Sequence, residues 1–406
     1  MPAATALPST LPSTPAAVDA GLPPAQWLAA SRRLVAGRPD TRYGWWEAPD
    51  AAGPAVVKAL AASLTAAAST LLHHEKDMLG RLRQLGAPVP DPLMAAMRRY
   101  PSCVITRFGG LSLRTLQARQ QKGLSALNLR ERLSVWAHLA RRLHPLASQH
   151  GLLVADLWEG NVLVPLMQVH RGQLRLNQPL VVDHAHTLLP GSALQRPLWI
   201  DETQARIAPE LAEALRADRE ALERHFAVQG AALPGYSRLP GELDRRSREA
   251  WLSYRAPSAL QRALDGGQLD AGAAMQYAVG VALQQELARA RPEELAPFNL
   301  RDLQTLQHRL CRAQPSERLG SLAAVAEALG EVLGGLSLAS VACLAPITPG
   351  DLLLEPISMA QPSADPTCEA GSVAACSPGA EPVCGLTLGW LLGAAALGSL
   401  LAGVLA

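Results

Sequence analysis

The chain has 406 residues, of which 49% are hydrophobic and 18% charged, and its net charge is +2. That length holds two average domains, or one large domain with tails, and the hydrophobic content is enough for a sizeable core. A charge so near neutral, with no dense Lys/Arg run carrying interleaved aromatics, speaks against nucleic acid as a partner.

Residues 1–25 are rich in Pro, Ala, Ser and Thr and lack a basic start followed by an apolar run, so they read as a disordered leader and not a secretion signal. The informative region begins near Trp27. A short apolar run at 34–36 leads into a loop bounded by Gly37 and Gly44, and a second run follows at 45–48. Ala55-Val56-Val57-Lys58-Ala59-Leu60 is strand-like and sets a lysine among apolar neighbours, where its ammonium can be presented to phosphate. Residues 66–85 have helical spacing, with Leu72, Met78, Leu79 and Leu82 on one face. Glu75 lies in this helix, seventeen residues after Lys58; such a glutamate is ordinarily a solvated charge, but paired with Lys58 it would hold the ammonium in place.

A strand at 103–106 is followed by Gly109 and Gly110, a helical stretch from about Leu113, and a long amphipathic helix at 129–149. Asp156 and Asn161 then stand five apart in a loop before an apolar strand. A carboxylate there can accept the proton of an attacking hydroxyl, and an amide oxygen can bind a metal. Taken alone the pair is weak, because that spacing arises by chance about once in a chain of this length. The strand Leu180-Val181-Val182 delivers Asp183, a carboxylate that is costly to bury unless paired or metal-bound.

After Arg318 there is no Lys or Arg while seven acids follow, so residues 1–318 carry +9, a balance suited to anionic ligands. Residues 335–383, rich in Pro, Ser, Ala and Gly, read as a linker. Residues 384–406 are uncharged throughout and as a helix would extend roughly 34 Å, the length of a membrane span. Gly393, Ala394, Gly398 and Ser399 would let two such helices pack into a homodimer. The six cysteines show no zinc spacing; Cys103 and Cys311 read as core residues.

In order and spacing these segments resemble the protein-kinase fold of the bacterial, eukaryotic-type serine/threonine family. Val56-Val57-Lys58 resembles its VAIK strand, Glu75 its partner glutamate, Asp156 with Asn161 its catalytic loop, and Asp183 the aspartate of DFG. Ala208-Pro209-Glu210 matches the APE motif, and Pro315-Ser316-Glu317-Arg318 the closing P-x-x-R segment whose arginine pairs with that glutamate. The resemblance implies an α+β, two-lobed fold over residues 26–334, with a small antiparallel lobe at about 26–110 and a mainly helical lobe at about 111–334. It further implies ATP and Mg²⁺ as ligands. Asp156 is then the base toward a Ser or Thr hydroxyl of a protein substrate, Asn161 and Asp183 are metal ligands, Lys58, Glu75, Gly37 and Gly44 form the ATP site, and Glu210 with Arg318 is structural. Because ATP is cytoplasmic, the expected topology is a cytoplasmic kinase domain anchored in the cell membrane by residues 384–406.

The sequence also departs from that pattern. Val154-Ala155-Asp156 replaces HRD, Trp158 occupies the position of a phosphate-neutralising lysine, and Asp183-His184-Ala185 replaces DFG. Met275 stands where the family has a capping aspartate. The interval after Glu210 is long, so either residues 215–270 hold an insertion or the APE match is accidental. Asp156-Leu157-Trp158 with Gly160-Asn161 also looks like the loop of aminoglycoside- and fructosamine-kinase-type phosphotransferases. An active protein kinase, a pseudokinase scaffold and a small-molecule kinase therefore all remain open.

Overall fold

The computed structural model of the protein describes residues 33–34, 41–46, 55–60, 66–99, 103–121, 127–166, 173–192, 198, 200–233, 244–336 and 340–342. All of them fall in the first of two compact units, Met1–Ser358. The expected leader, Gly37 and the apolar run at 384–406 lie outside the described residues. Among the described residues no helix is long and apolar enough to cross a membrane.

Four antiparallel strands open the fold: β1 (Arg33–Leu34), β2 (Thr41–Trp46), β3 (Ala55–Leu60) and β4 (Cys103–Arg107), in the order β1-β2-β3-β4. Helices α1 (Ala66–Gln84) and α2 (Met94–Arg99) lie between β3 and β4 in the chain. The alternation of β3 divides its side chains between core and cleft. Ala55 and Val57 point into a core with Leu72 and Leu79 of α1, Met97 of α2 and Ile105 of β4. Val56 and Lys58 consequently face the other way, into a cleft. The expectation that Gly44 closes a loop is corrected: Gly44 lies within β2, opposite Arg33 on one side and Val57 on the other. Pairing on both flanks keeps its backbone in the sheet.

Gly109 and Gly110 connect β4 to β5 (Leu111–Ser112) and α3 (Leu113–Gln121). Gly110 has φ 129°, and a Cβ there would overlap the Val164 carbonyl, so this crossing admits only glycine. Next comes α4 (Leu129–His150), started by a capping box between Asn128 and Glu131 and stopped by Gly151 in the left-handed conformation.

The strands after α4 are short and explain how the loops meet. They are β6 (Leu153–Val154), β7 (Val162–Val164), β8 (Gln173–Arg175), β9 (Leu180–Val181) and β10 (Thr187–Leu188). β6 pairs with β10 and β7 with β9, both antiparallel. The segment 155–161 and the segment 182–186 are thus each held at both ends and laid side by side.

The rest of the described chain is nearly all helical. Helix α5 (Pro209–Val228), α6 (Arg245–Ser253) and α7 (Ala259–Asp265) fill the long interval after Glu210. They carry a small core of their own, made of Leu222, Phe226, Ala250, Trp251 and Tyr254, so the interval is a folded helical segment. Then come α8 (Ala271–Arg289), α9 (Pro292–Leu295), α10 (Leu300–Leu310) and α11 (Leu322–Val332). Helix α8 is apolar on most of its faces and is buried against α4 and α10. A last strand, β11 (Ser340–Ala342), pairs with β8, so the stretch expected as a linker from residue 335 carries a strand near its start. Cys103 is buried as expected, whereas Cys311, at the end of α10, is only partly so.

Candidate active site

Lys58 stands near the middle of the sheet, and its Nζ donates to Glu75 Oε2 at 2.8 Å and to Asp183 Oδ1 at 2.6 Å. Glu75 is 3% exposed. Burial pushes its carboxyl up, while the Lys58 ammonium and the backbone N–H of His184 pull it back. Two carboxylates thus share one ammonium.

Asp183 has φ 61°, the one positive φ at a non-glycine among the described residues, a conformation that costs about 1–2 kcal/mol. The residue after it fixes that turn. His184 is fully buried, and burial lowers its pKa to about 4, so the ring is neutral near pH 7. Its Nε2 lies 2.9 Å from the Val181 carbonyl and its Nδ1 3.1 Å from the Thr187 hydroxyl. A neutral ring meets both by donating to the carbonyl and accepting from the hydroxyl.

Asp156 lies in the loop between β6 and β7. Asn161 Nδ2 donates to the Asp156 carbonyl at 3.0 Å and to its Oδ2 at 3.3 Å. Arg206, four residues before Glu210, donates to Asp156 Oδ1 from both Nε (2.9 Å) and Nη2 (2.8 Å). His186 Nδ1 is 3.9 Å from Oδ2. The Arg206 guanidinium also lies 5.1 Å from the centre of the Trp158 ring. Gly160 is required beside that ring, because a Cβ would overlap it.

A cleft of about 310 Å³ separates the sheet from these loops. Val56 and Leu163 form apolar walls, Gly109 and Gly110 one edge, and Lys58, Asn161 and Asp183 the polar end. Such a slot accepts a flat apolar group at one end and an anion at the other. Among the described residues no group of three or more His, Cys, Asp or Glu could hold a metal unaided. The Asp183 carboxylate and the Asn161 amide oxygen, which accepts no hydrogen bond from a described residue, suit a magnesium ion completed by phosphate oxygens.

The structure therefore brings Lys58, Glu75 and Asp183 into contact, sets Asn161 in the same cleft, and joins Asp156 to it through Asn161. Glu210 and Arg318 pair apart from the cleft, at 2.5 and 2.8 Å. Arg318 also donates to the carbonyls of Ala273, Arg312 and Ala313, tying α5, α8 and the segment before α11 together. Sequence reasoning missed Arg206 and His186. Neither belongs to a spacing pattern, and the one available signal was a cation shortly before Pro209-Glu210.

No family profile and no curated protein matches the chain. Among solved structures, the kinase domain of Mycobacterium tuberculosis PknI aligns with 74% of this chain and 94% of its own length, at 16% identity and a TM-score of 0.40. A double mutant of that domain aligns with 75% of this chain and 95% of its own, at 17% identity and a TM-score of 0.42. What places the chain is its own geometry: a small antiparallel sheet with one long helix, a largely helical remainder, and a lysine–glutamate–aspartate cluster at the cleft between them. The chain has a protein-kinase-like fold.

Proposed function

We propose that the protein transfers the γ-phosphoryl group of Mg-ATP to a Ser or Thr hydroxyl of a protein substrate. The observation that carries this reading is the Lys58 ammonium, bonded to both Glu75 and Asp183 at the polar end of a cleft that also holds Asn161. A lysine so fixed presents a point charge to phosphate oxygens, and Glu75 orients it from a buried position. Asp183 and Asn161 would hold the magnesium, which when bound neutralises charge on the phosphates. Asp156, its second oxygen held by Asn161, accepts the proton of the attacking hydroxyl. Val56 and Leu163 exclude water from the flat base.

The grip of Arg206 on Asp156 favours a second reading, a scaffold that binds nucleotide without transferring phosphate, if that guanidinium keeps the acceptor hydroxyl away. One experiment decides between them. Wild type and Asp156→Ala are incubated with labelled ATP and a mixed protein substrate, and ATP binding is followed in parallel by the shift in Tm. Transfer by wild type, lost about a hundredfold or more in the variant while the Tm shift persists, supports the enzyme. Equal labelling by both proteins defeats it, and ATP binding without labelling by either assigns the scaffold.

Residues 384–406, uncharged and long enough to span a bilayer, support membrane anchoring with the kinase-like unit on the ATP-containing side. Deleting them should move the protein from the membrane pellet to the supernatant; a folded deletion variant that still pellets would refute the anchor.

A further inference from the structure

Beside the loop that carries Asp156, and sharing no lining residue with the first cleft, lies a second cavity of about 200 Å³. Its floor is α8, through Ala278, Val281, Ala282 and Gln285, and its upper rim is Trp158 with Arg114 and Arg206. The two guanidinium groups each lie 5.1 Å from the centre of the Trp158 ring, so one indole carries two cations. They differ in their partners. Arg206 is spent on Asp156. Arg114, in the first turn of α3, donates no side-chain hydrogen bond to any described residue, although it is partly buried. The nearby carboxylate of Glu159 is engaged by Arg289 Nη2 at 3.2 Å. Burial, together with Arg289 and Arg206, disfavours the charge on Arg114, and the Glu159 charge supports it. A half-buried guanidinium that meets no side-chain acceptor among the described residues, beside a second arginine and a polar cavity whose one lining carboxylate, Glu159, is already engaged by Arg289, is an incomplete anion site.

We propose that this cavity binds an anionic side chain of the acceptor polypeptide, so that the protein selects Ser or Thr residues flanked by Asp, Glu or an already phosphorylated residue. The proposal rests on the phosphoryl-transfer reading for its use, though not for the binding itself. Because Arg206 touches both the cavity rim and Asp156, an anion held there lies one guanidinium away from the base, near in sequence to the acceptor hydroxyl. The same pair of cations repels a polyamine acceptor, which sets the site against amino-sugar substrates.

The test uses the full-length protein with Mg-ATP and peptides containing one serine, flanked in separate series by Glu, phosphoserine, Gln or Lys. Binding is measured independently, by anisotropy of a fluorescent Glu-flanked peptide whose serine is replaced by alanine. The Glu and phosphoserine series should exceed the Gln series about tenfold in kcat/KM and the Lys series by more. Arg114→Gln should erase the preference, Arg114→Lys should restore part of it, and the ATP-induced Tm shift reports whether the cleft remains formed. A preference for phosphoserine over Glu assigns the anion as phosphate; the reverse assigns it as carboxylate. Peptide binding that depends on Arg114 without any labelling would sustain the anion site and overturn the transfer reading. Equal use and equal binding of the Glu and Gln peptides, or a preference unchanged in Arg114→Gln, overturns the anion site.

Discussion

On the sheet side of the cleft one ammonium, that of Lys58, is held by two carboxylates; on the helical side one carboxylate, that of Asp156, is held by a guanidinium and flanked by an amide and an imidazole. The first arrangement fixes a positive point where phosphates would lie, and the second fixes a negative point where a hydroxyl would lose its proton. They are built from different material. Lys58 and Glu75 sit on a strand and a helix whose own periodicities aim them inward, whereas Asp156 and Arg206 sit in connecting segments and are aimed by each other and by Trp158. The sheet side is therefore specified locally, while the helical side depends on tertiary pairing.

The largest expected effect comes from removing what the helical side hangs from. Arg318→Met strips five acceptors of a fully buried guanidinium, leaves Glu210 unpaired, and should cost about 4 kcal/mol in urea unfolding. A loss below about 1 kcal/mol would mean that the pair is ornamental to stability. Lys58→Met ranks next. It abandons the buried Glu75, whose already raised pKa lets it protonate and soften the loss, so about 2 kcal/mol is expected. The ATP-induced rise in Tm should vanish with it. A variant that keeps the full rise would show that the sheet side does not hold the nucleotide.

This difference in construction also decides what could be read in advance. Lys58, Glu75 and Asp183 were singled out by their order and spacing within the kinase resemblance, and period two in β3 and a helical face in α1 are why the first two turn inward. The interval after Glu210 was legible as a length anomaly, but not as three helices, since Leu222, Phe226 and Trp251 make sense as a core only once α5 and α6 are folded together. Gly44 was misjudged because two glycines seven apart suggest a loop, and nothing local announces that β1 and β3 will pair with the strand on both sides. Arg206 was nearly illegible: its partner is fifty residues away, and only its place just before Ala208-Pro209-Glu210 hinted at it.

Gly160→Ala sharpens the comparison from the helical side, at a residue that also lines the cleft. The added Cβ meets the Trp158 ring, which must shift together with the arginines that rest on it, at a cost of about 1–2 kcal/mol. Transfer should fall about tenfold or more, whereas the ATP-induced Tm shift should remain, because Lys58, Glu75 and Asp183 are not moved. Loss of both together would mean that the two sides are one mechanical unit.

The smallest effect is expected from a residue on neither side. Asp218, 3% exposed on α5, accepts from the Ser258 hydroxyl at 2.7 Å and from the backbone N–H groups of Ala259 and Leu260, and so holds the first turn of α7. Asp218→Ala removes every one of these acceptors and should cost about 1–2 kcal/mol. Asp218→Asn keeps one oxygen for the backbone and sheds a charge that burial disfavours, so it should cost about half as much. Burial raises the Asp218 pKa, with the hydrogen bonds from Ser258, Ala259 and Leu260 opposing it. A carboxyl raised in the folded protein contributes stability that is complete below its unfolded value and is lost as pH rises through its folded value. Urea midpoints measured from about pH 4 upward should therefore fall slightly for wild type and stay flatter for Asp218→Asn, while ATP binding and transfer are the same in both. A steeper pH dependence in Asp218→Asn would reverse the sign of this argument and show that the ionised carboxylate is the form the start of α7 needs.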